Sequence, residues 1–126
     1  VNAMQEEAQH VPFTIEEHSL AEGRALLRIQ GRLDAVSAPT LKAHFRRLVE
    51  AGCVQLVLDF SAVPFIDSSG LAALVSGLKL IRESGGALKL ARLTRQTRTV
   101  FELTLLDRIF DFYDSVEAAT SSLSHA

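Results

Sequence analysis

The sequence predicts a single α/β domain: a mixed sheet of about five strands, largely parallel, with four helices. Three observations carry that prediction. Val54-Gln55-Leu56-Val57-Leu58-Asp59-Phe60 is almost continuously apolar, as a central strand covered on both faces would be. A turn of small residues, Asp67-Ser68-Ser69-Gly70, then opens an amphipathic helix over 71–83. Along the whole chain the strand and helix periodicities alternate as β-β-α-β-α-β-α-β-α, which asks for parallel neighbours joined by helical crossovers.

The elements follow in order. Residues 13–18 alternate as a first strand, with Glu22-Gly23 as the turn out of it. Residues 24–33 continue as a second strand. Ala25, Leu27 and Ile29 share one face, while Arg24, Arg28 and Gln30 share the other with Leu26. That mixture predicts a half-buried strand towards a sheet edge. Pro39 suits the first turn of a helix, with Ser37 or Ala38 as its cap. Leu41, Phe45, Leu48 and Val49 then fall on one face, and Gly52 stops the helix as a left-handed C-terminal cap. In the helix over 71–83, Leu71, Leu74, Val75 and Leu78 form a stripe interleaved with Ala72, Ala73, Ser76 and Gly77. Those small side chains permit close approach by neighbouring structure, and Ser84-Gly85-Gly86 ends the helix. Residues 87–92 read as a fourth strand, and 94–103 as a third helix burying Val100 and Phe101. A turn at Leu105 to Arg108, a strand over 109–113 and a helix over 116–123, capped by Asp114 or Ser115, complete the series.

Composition narrows the functional classes. A chain of 126 residues, 48% hydrophobic and 22% charged, reads as one globular domain with an ordinary core. A net charge of -2 argues against nucleic acid or an anionic membrane as the main partner. The single Cys53 forms no internal disulfide, and the sequence shows neither a secretory leader nor 18 consecutive apolar residues. A soluble chain in a reducing, cytoplasmic compartment is the expectation. Val1-Asn2-Ala3 before Met4 reads as a cloning remnant. The predicted division is therefore a remnant and loose N-terminus over 1–12, a domain over 13–123 and a tail over 124–126.

Few residues suggest chemistry. His10, His18, His44 and His125 are scattered and Cys53 has no ligand at metal spacing, so neither metal nor cofactor is expected. Gly85-Gly86 lacks the partners of a phosphate-cradling loop and is better explained as a helix stop. Ser68 as a nucleophile would need a base and an oxyanion site. Its context is not a G-x-S-x-G elbow, and no histidine stands nearby, so no enzyme is predicted. On spacing alone the serine pair is a helix cap. Phosphorylation is the better chemical alternative, because helix N-terminal N–H groups accommodate a phosphate. Asp67 would oppose it by like-charge repulsion, shifting the main effect to a partner docked over Ser68. Arg92, Arg95 and Arg98 recur every three residues and read as an ordinary solvated face sooner than a basic patch. Asp34 and Asp59 could serve as paired carboxylates, but nothing in the sequence unites them. Asp34 reads as a loop or capping residue.

A family pattern adds to this reading. Phe65-Ile66-Asp67-Ser68-Ser69-Gly70-Leu71 closely resembles the phosphorylation motif of bacterial anti-sigma-factor antagonists, members of the STAS family. Gly31-Arg32-Leu33-Asp34 followed by Ala38-Pro39-Thr40-Leu41 resembles the family's G-x-L-D segment and first helix. Val57-Leu58-Asp59-Phe60-Ser61 is similar to its central strand, Gly85-Gly86 to its glycine turn, and Val100 to Phe110 to its closing elements. The resemblance implies that Ser68 is the phosphoacceptor, supported by Asp67, Ser69 and Gly70, with Ser69 in a supporting or capping role. It implies partner contacts at Asp34, Leu71 and Ala72. An unphosphorylated antagonist of this kind binds an anti-sigma factor and frees a sigma factor. The anti-sigma factor is often a serine kinase using ATP and magnesium, and a serine phosphatase resets the switch. The antagonist is the substrate, not the catalyst. Ala35-Val36-Ser37 departs from the polar or histidine residues of some antagonists. A scaffold without phosphorylation, in a transport or stressosome-like complex, is the alternative reading. Oligomeric state, a homodimer included, stays open.

Overall fold

Five strands form one sheet in the order β1-β2-β3-β4-β5, in a computed structural model that describes residues 11–123. The readings made for residues 1–10 and 124–126 lie outside the described residues. β1 (Thr14–Ala21) and β2 (Arg24–Gln30) form an antiparallel hairpin, while β3 (Gln55–Ala62), β4 (Ala87–Ala91) and β5 (Asp111–Tyr113) run parallel to β2. The helices are α1 (Ala38–Glu50), α2 (Ser68–Glu83), α3 (Arg95–Leu103) and α4 (Val116–Ser121), with a 3-10 turn at Leu106–Arg108.

The period-two alternation of the strands divides the core in two. Ala25, Leu27 and Ile29 of β2, Leu56, Leu58 and Phe60 of β3, and Leu88 and Leu90 of β4 face one way. They pack against Leu41, Phe45 and Leu48 of α1, Leu74, Leu78 and Ile81 of α2, and Phe101 of α3. Leu26, Val57 and Ala91 face the other way, under Ala119 and Leu123 at the end of the chain. This corrects the reading of β2 as a half-buried strand near an edge. β1 is the edge, β2 lies between β1 and β3, and Leu26 is covered because α4 closes that face.

The small residues of α2 have an internal purpose. A Cβ at Gly77 would stand 2.3 Å from Cδ2 of Phe45, so the missing side chain is what lets α1 and α2 close on each other. Helix limits differ by less than a turn from the sequence reading, and the largest shift at a helix start has a clear cause. α2 begins at Ser68, three residues before the predicted start at Leu71, because the capping side chain belongs to Asp67 and to neither serine. Gly52, at φ +80°, closes the end of α1 in the left-handed conformation anticipated for it. β2 stops at Gln30, short of Leu33, where Gly31 turns the chain at φ +101°. The last strand shortens to three residues, since the N–H groups of Ile109 and Phe110 donate back to the Leu106 carbonyl and keep both residues in the turn before it. Ser115, not Asp114, caps α4, its hydroxyl accepting from the Ala118 N–H at 3.0 Å.

Candidate functional site

The carboxyl ends of β2 and β3 carry two loops that are fastened side by side. Leu33 bridges Ile66 in parallel register; the Leu33 N–H donates to the Phe65 carbonyl at 3.0 Å, and the Asp67 N–H to the Leu33 carbonyl at 3.2 Å. The chain around Asp34 and the start of α2 therefore form one surface. Their contact is tight. A Cβ on Gly70 would lie 2.4 Å from the Leu33 carbonyl oxygen, so only glycine fits there.

Asp67 takes an extended conformation and caps α2. Its Oδ1 accepts from the N–H groups of Ser69 at 2.9 Å and Gly70 at 3.1 Å. Ser68 is the first helical residue and is exposed, and its hydroxyl has no hydrogen-bond partner among the described residues. Two sequence readings change here. Neither Ser68 nor Ser69 caps the helix; Ser69 contributes its backbone N–H. The N–H groups expected to receive a phosphate are also already engaged by Asp67. A phosphate on Ser68 would meet a carboxylate and project outwards.

The neighbouring loop is knotted by its own side chains. Asp34 Oδ1 accepts from the N–H of Val36 at 3.0 Å and of Ser37 at 3.3 Å. The buried Ser37 hydroxyl donates to the Arg32 carbonyl at 2.7 Å and accepts from the Asp34 N–H at 2.9 Å. Ser37 stands at the cap position of α1 but spends its hydroxyl on the loop. Desolvation raises the Asp34 pKa, yet the N–H bonds, the Ser37 hydroxyl and the Arg32 charge together carry it below the ordinary value of 3.8. Arg32 lies 3.9 Å above the Phe65 ring, with its Nε 3.7 Å from Asp34 Oδ2, linking the two loops through side chains as well. Val36 is 87% exposed at the tip.

The other candidates separate. Leu71 is buried in the core, so the expectation of a partner contact there meets a side chain turned inwards; Ala72 is exposed. Asp34 and Asp59 have different partners and do not act as a pair. Asp59 is buried on β3, its Oδ2 held by Arg28 at 2.7 Å and Arg92 at 3.5 Å and its Oδ1 accepting from the Ser61 N–H. Arg92 thus reaches Asp59 and Arg98 lies over Phe112, which divides the three-residue arginine series between two surroundings. The knot at Ser37 and the Arg32–Phe65 stack escaped the sequence reading. The Asp34-x-x-Ser37 spacing was a signal for the first, as side-chain turns of this kind use it. The second depends on pairing between distant segments.

Fold and site together define a small α/β domain that offers a preorganised two-loop surface with an exposed serine at its centre. The chain belongs to the STAS domain family, whose model matches residues 14–119. It is 34% identical over 85 residues to the anti-sigma-B factor antagonist of Bacillus subtilis, covering 68% of this chain and 77% of that protein. It is 29% identical over 115 residues to the anti-sigma-F factor antagonist RsfB of Mycobacterium tuberculosis, across 90% of this chain and 89% of the relative. The crystal structure of an anti-sigma factor antagonist from Mycobacterium paratuberculosis superposes with a TM-score of 0.78 at 27% identity, covering 89% of this chain and 94% of that one. No described helix is long and apolar enough to cross a membrane.

Proposed function

We propose that this chain is an anti-sigma-factor antagonist controlled at Ser68. Unphosphorylated, it binds an anti-sigma factor and thereby frees a sigma factor. The bound anti-sigma factor is a serine kinase that transfers a phosphoryl group to the Ser68 hydroxyl and so ends the complex; a serine phosphatase restores it. The chain is the substrate in these reactions, acts within the cytoplasm and uses residues 13–123 as its working domain. Its relatives' names support the partner class. One observation supports the switch: Ser68 is exposed at the first position of α2 while Asp67 already fills the N–H groups of Ser69 and Gly70.

The roles belong to the same proposal. Ser68 is the acceptor, and Asp67, Ser69 and Gly70 hold its backbone. Asp34 and Ala72 meet the partner, with Leu71 supporting them from the core. A phosphate that cannot fold back onto its own helix places its charge in the interface, where an unpaired like charge costs several kcal/mol. Affinity capture with Ser68→Ala and Ser68→Asp baits tests this. Ser68→Ala should retain the anti-sigma factor and take up no phosphate, and Ser68→Asp should bind it at least roughly tenfold more weakly. Phosphate mapped by mass spectrometry to another residue would sink the site. Recovery of a transport or scaffold complex with no anti-sigma factor would sink the function.

A further inference from the structure

We propose that Asp59 is the positioning residue of the Ser68 surface: its carboxylate pins a bulge near the end of β3 that sets the Asp67–Ser68 turn against the Asp34 loop. With Ser68 as the acceptor proposed above, Asp59 is the group that aims it. The register between β2 and β3 slips by one residue. Arg28 faces Asp59 but Gln30 faces Ala62, so Phe60 and Ser61 stand opposite Ile29 alone. Asp59 fastens the slip. Its Oδ1 accepts from the Ser61 N–H at 3.0 Å, inside the bulge. Its Oδ2 is held by Arg28 of β2 at 2.7 Å and by Arg92, just past the end of β4, at 3.5 Å. Arg92 stands at φ +61°, where a Cβ crowds the backbone, and its side chain serves this contact. One buried carboxylate thus joins the carboxyl ends of three strands.

Stability alone does not call for a charge here. Val57, the neighbour of Asp59 on the same face of β3, is apolar, and Asp59 is only 3% exposed. An apolar side chain would serve the sheet as well, because a buried ion pair adds little over well-packed apolar groups. What an apolar side chain could not do is accept the Ser61 N–H.

The bulge decides how the chain enters the site. Removing one residue from a strand turns every later side chain to the other face, so the Leu33–Ile66 bridge depends on the extra residue. Directly after the bulge the Gly31 N–H donates to the Ala62 carbonyl and the Val63 N–H to the Phe60 carbonyl, each at 3.0 Å. The Thr94 hydroxyl, at the start of α3, donates to the Val63 carbonyl at 3.4 Å and braces the same turn from the side of β4. The chain then reaches Ile66, Asp67 and Ser68 already fixed against Leu33.

Asp59→Leu separates aiming from stability. A cavity of about 150 Å³ lined by Thr14, Arg28 and Ser61 adjoins the carboxylate and takes the added volume, and both arginines are half exposed, so they can turn to water. The melting temperature should hold. The Leu33 and Asp67 amides, which tie the two loops, should exchange at least roughly tenfold faster, while those of α1 keep their protection. Asp59→Asn, which keeps an oxygen for the Ser61 N–H, should fall between. With the kinase recovered by the Ser68→Ala bait, Asp59→Leu should lower kcat for Ser68 phosphorylation by at least roughly tenfold and change KM less, as a misplaced hydroxyl does. Unchanged exchange at Leu33 and Asp67, or an unchanged kcat, would overturn the proposal. Uniform loss of protection with a sharp fall in melting temperature would overturn it too, making Asp59 a structural residue. Absence of phosphate on Ser68 in the unaltered chain would overturn the acceptor reading alone, and the amide exchange would still decide the role of Asp59.

Discussion

Asp67 and Ser68 divide two tasks that a helix start usually gives to one residue. The carboxylate caps, and the hydroxyl next to it has no hydrogen-bond partner among the described residues. Removing the cap should therefore affect stability and phosphate chemistry together. Asp67→Ala should destabilise the fold by about 1 kcal/mol through the lost bonds to Ser69 and Gly70. The same change vacates two N–H donors at the positive end of α2. Phosphate on Ser68 should then recover about 0.3–1 kcal/mol in the variant but little in the unaltered chain. Urea unfolding of both proteins with and without phosphate measures the difference, and equal effects would refute the account. Gly70→Ala is more severe because its Cβ meets a carbonyl oxygen 2.4 Å away, which no rotamer change relieves. A loss of about 1–3 kcal/mol or more is expected, read by the same unfolding experiment.

At the scale of the elements, the Asp34 loop is held by a carboxylate whose protonation loosens it. Its folded pKa lies below the ordinary 3.8, a depressed value for an acid. The associated stability is then complete above the unfolded value and is lost as pH falls through the folded one. Asp34→Asn should be less stable than the unaltered chain at neutral pH, and the two should converge in acid below the ordinary value. Chemical unfolding at neutral pH and at the lowest pH where both remain folded checks the sign; a gap that widens in acid would contradict it. Local pattern made the elements legible but not this loop. The four-residue spacing of Leu41 and Phe45 gave α1, and the apolar run at Leu56 to Leu58 gave β3, because burial dictates those periods. The start of α2 was misplaced because the cap is a carboxylate beside two equally plausible hydroxyls. Leu71 lies on the buried stripe and was assigned outwards only through resemblance. Leu26 could not be placed from its polar-face neighbours Arg28 and Gln30, since α4 comes from nearly a hundred residues later in the chain.

The whole molecule is built on two unequal cores. α1, α2 and α3 share the large one on one face of the sheet, whereas α4 covers the small one on the other, with Leu26, Val57 and Ala91 at its centre and Ala87 and Tyr113 packed beside them. A six-residue helix has little stability of its own, so its order rests on this small contact. Beside it the buried Asp59 uses Arg28 and Arg92 to satisfy its charge. The two faces should consequently open at different free energies. Ala119 is fully buried in the small core, and Ala119→Asp would set a carboxylate against the apolar side chains of Leu26 and Val57. Detachment of α4 relieves that burial while leaving the Leu58, Leu74 and Phe101 core intact. Hydrogen exchange of Ala119→Asp should show the amides of α4 losing most of their protection, with those of β3 and α2 largely retaining theirs. Because α2 lies in the other core, capture of the anti-sigma factor through the Ser68 surface should survive the substitution. Uniform loss of protection across both faces would instead mean that the cores unfold as one unit, and that α4 is a structural support for the surface at Ser68.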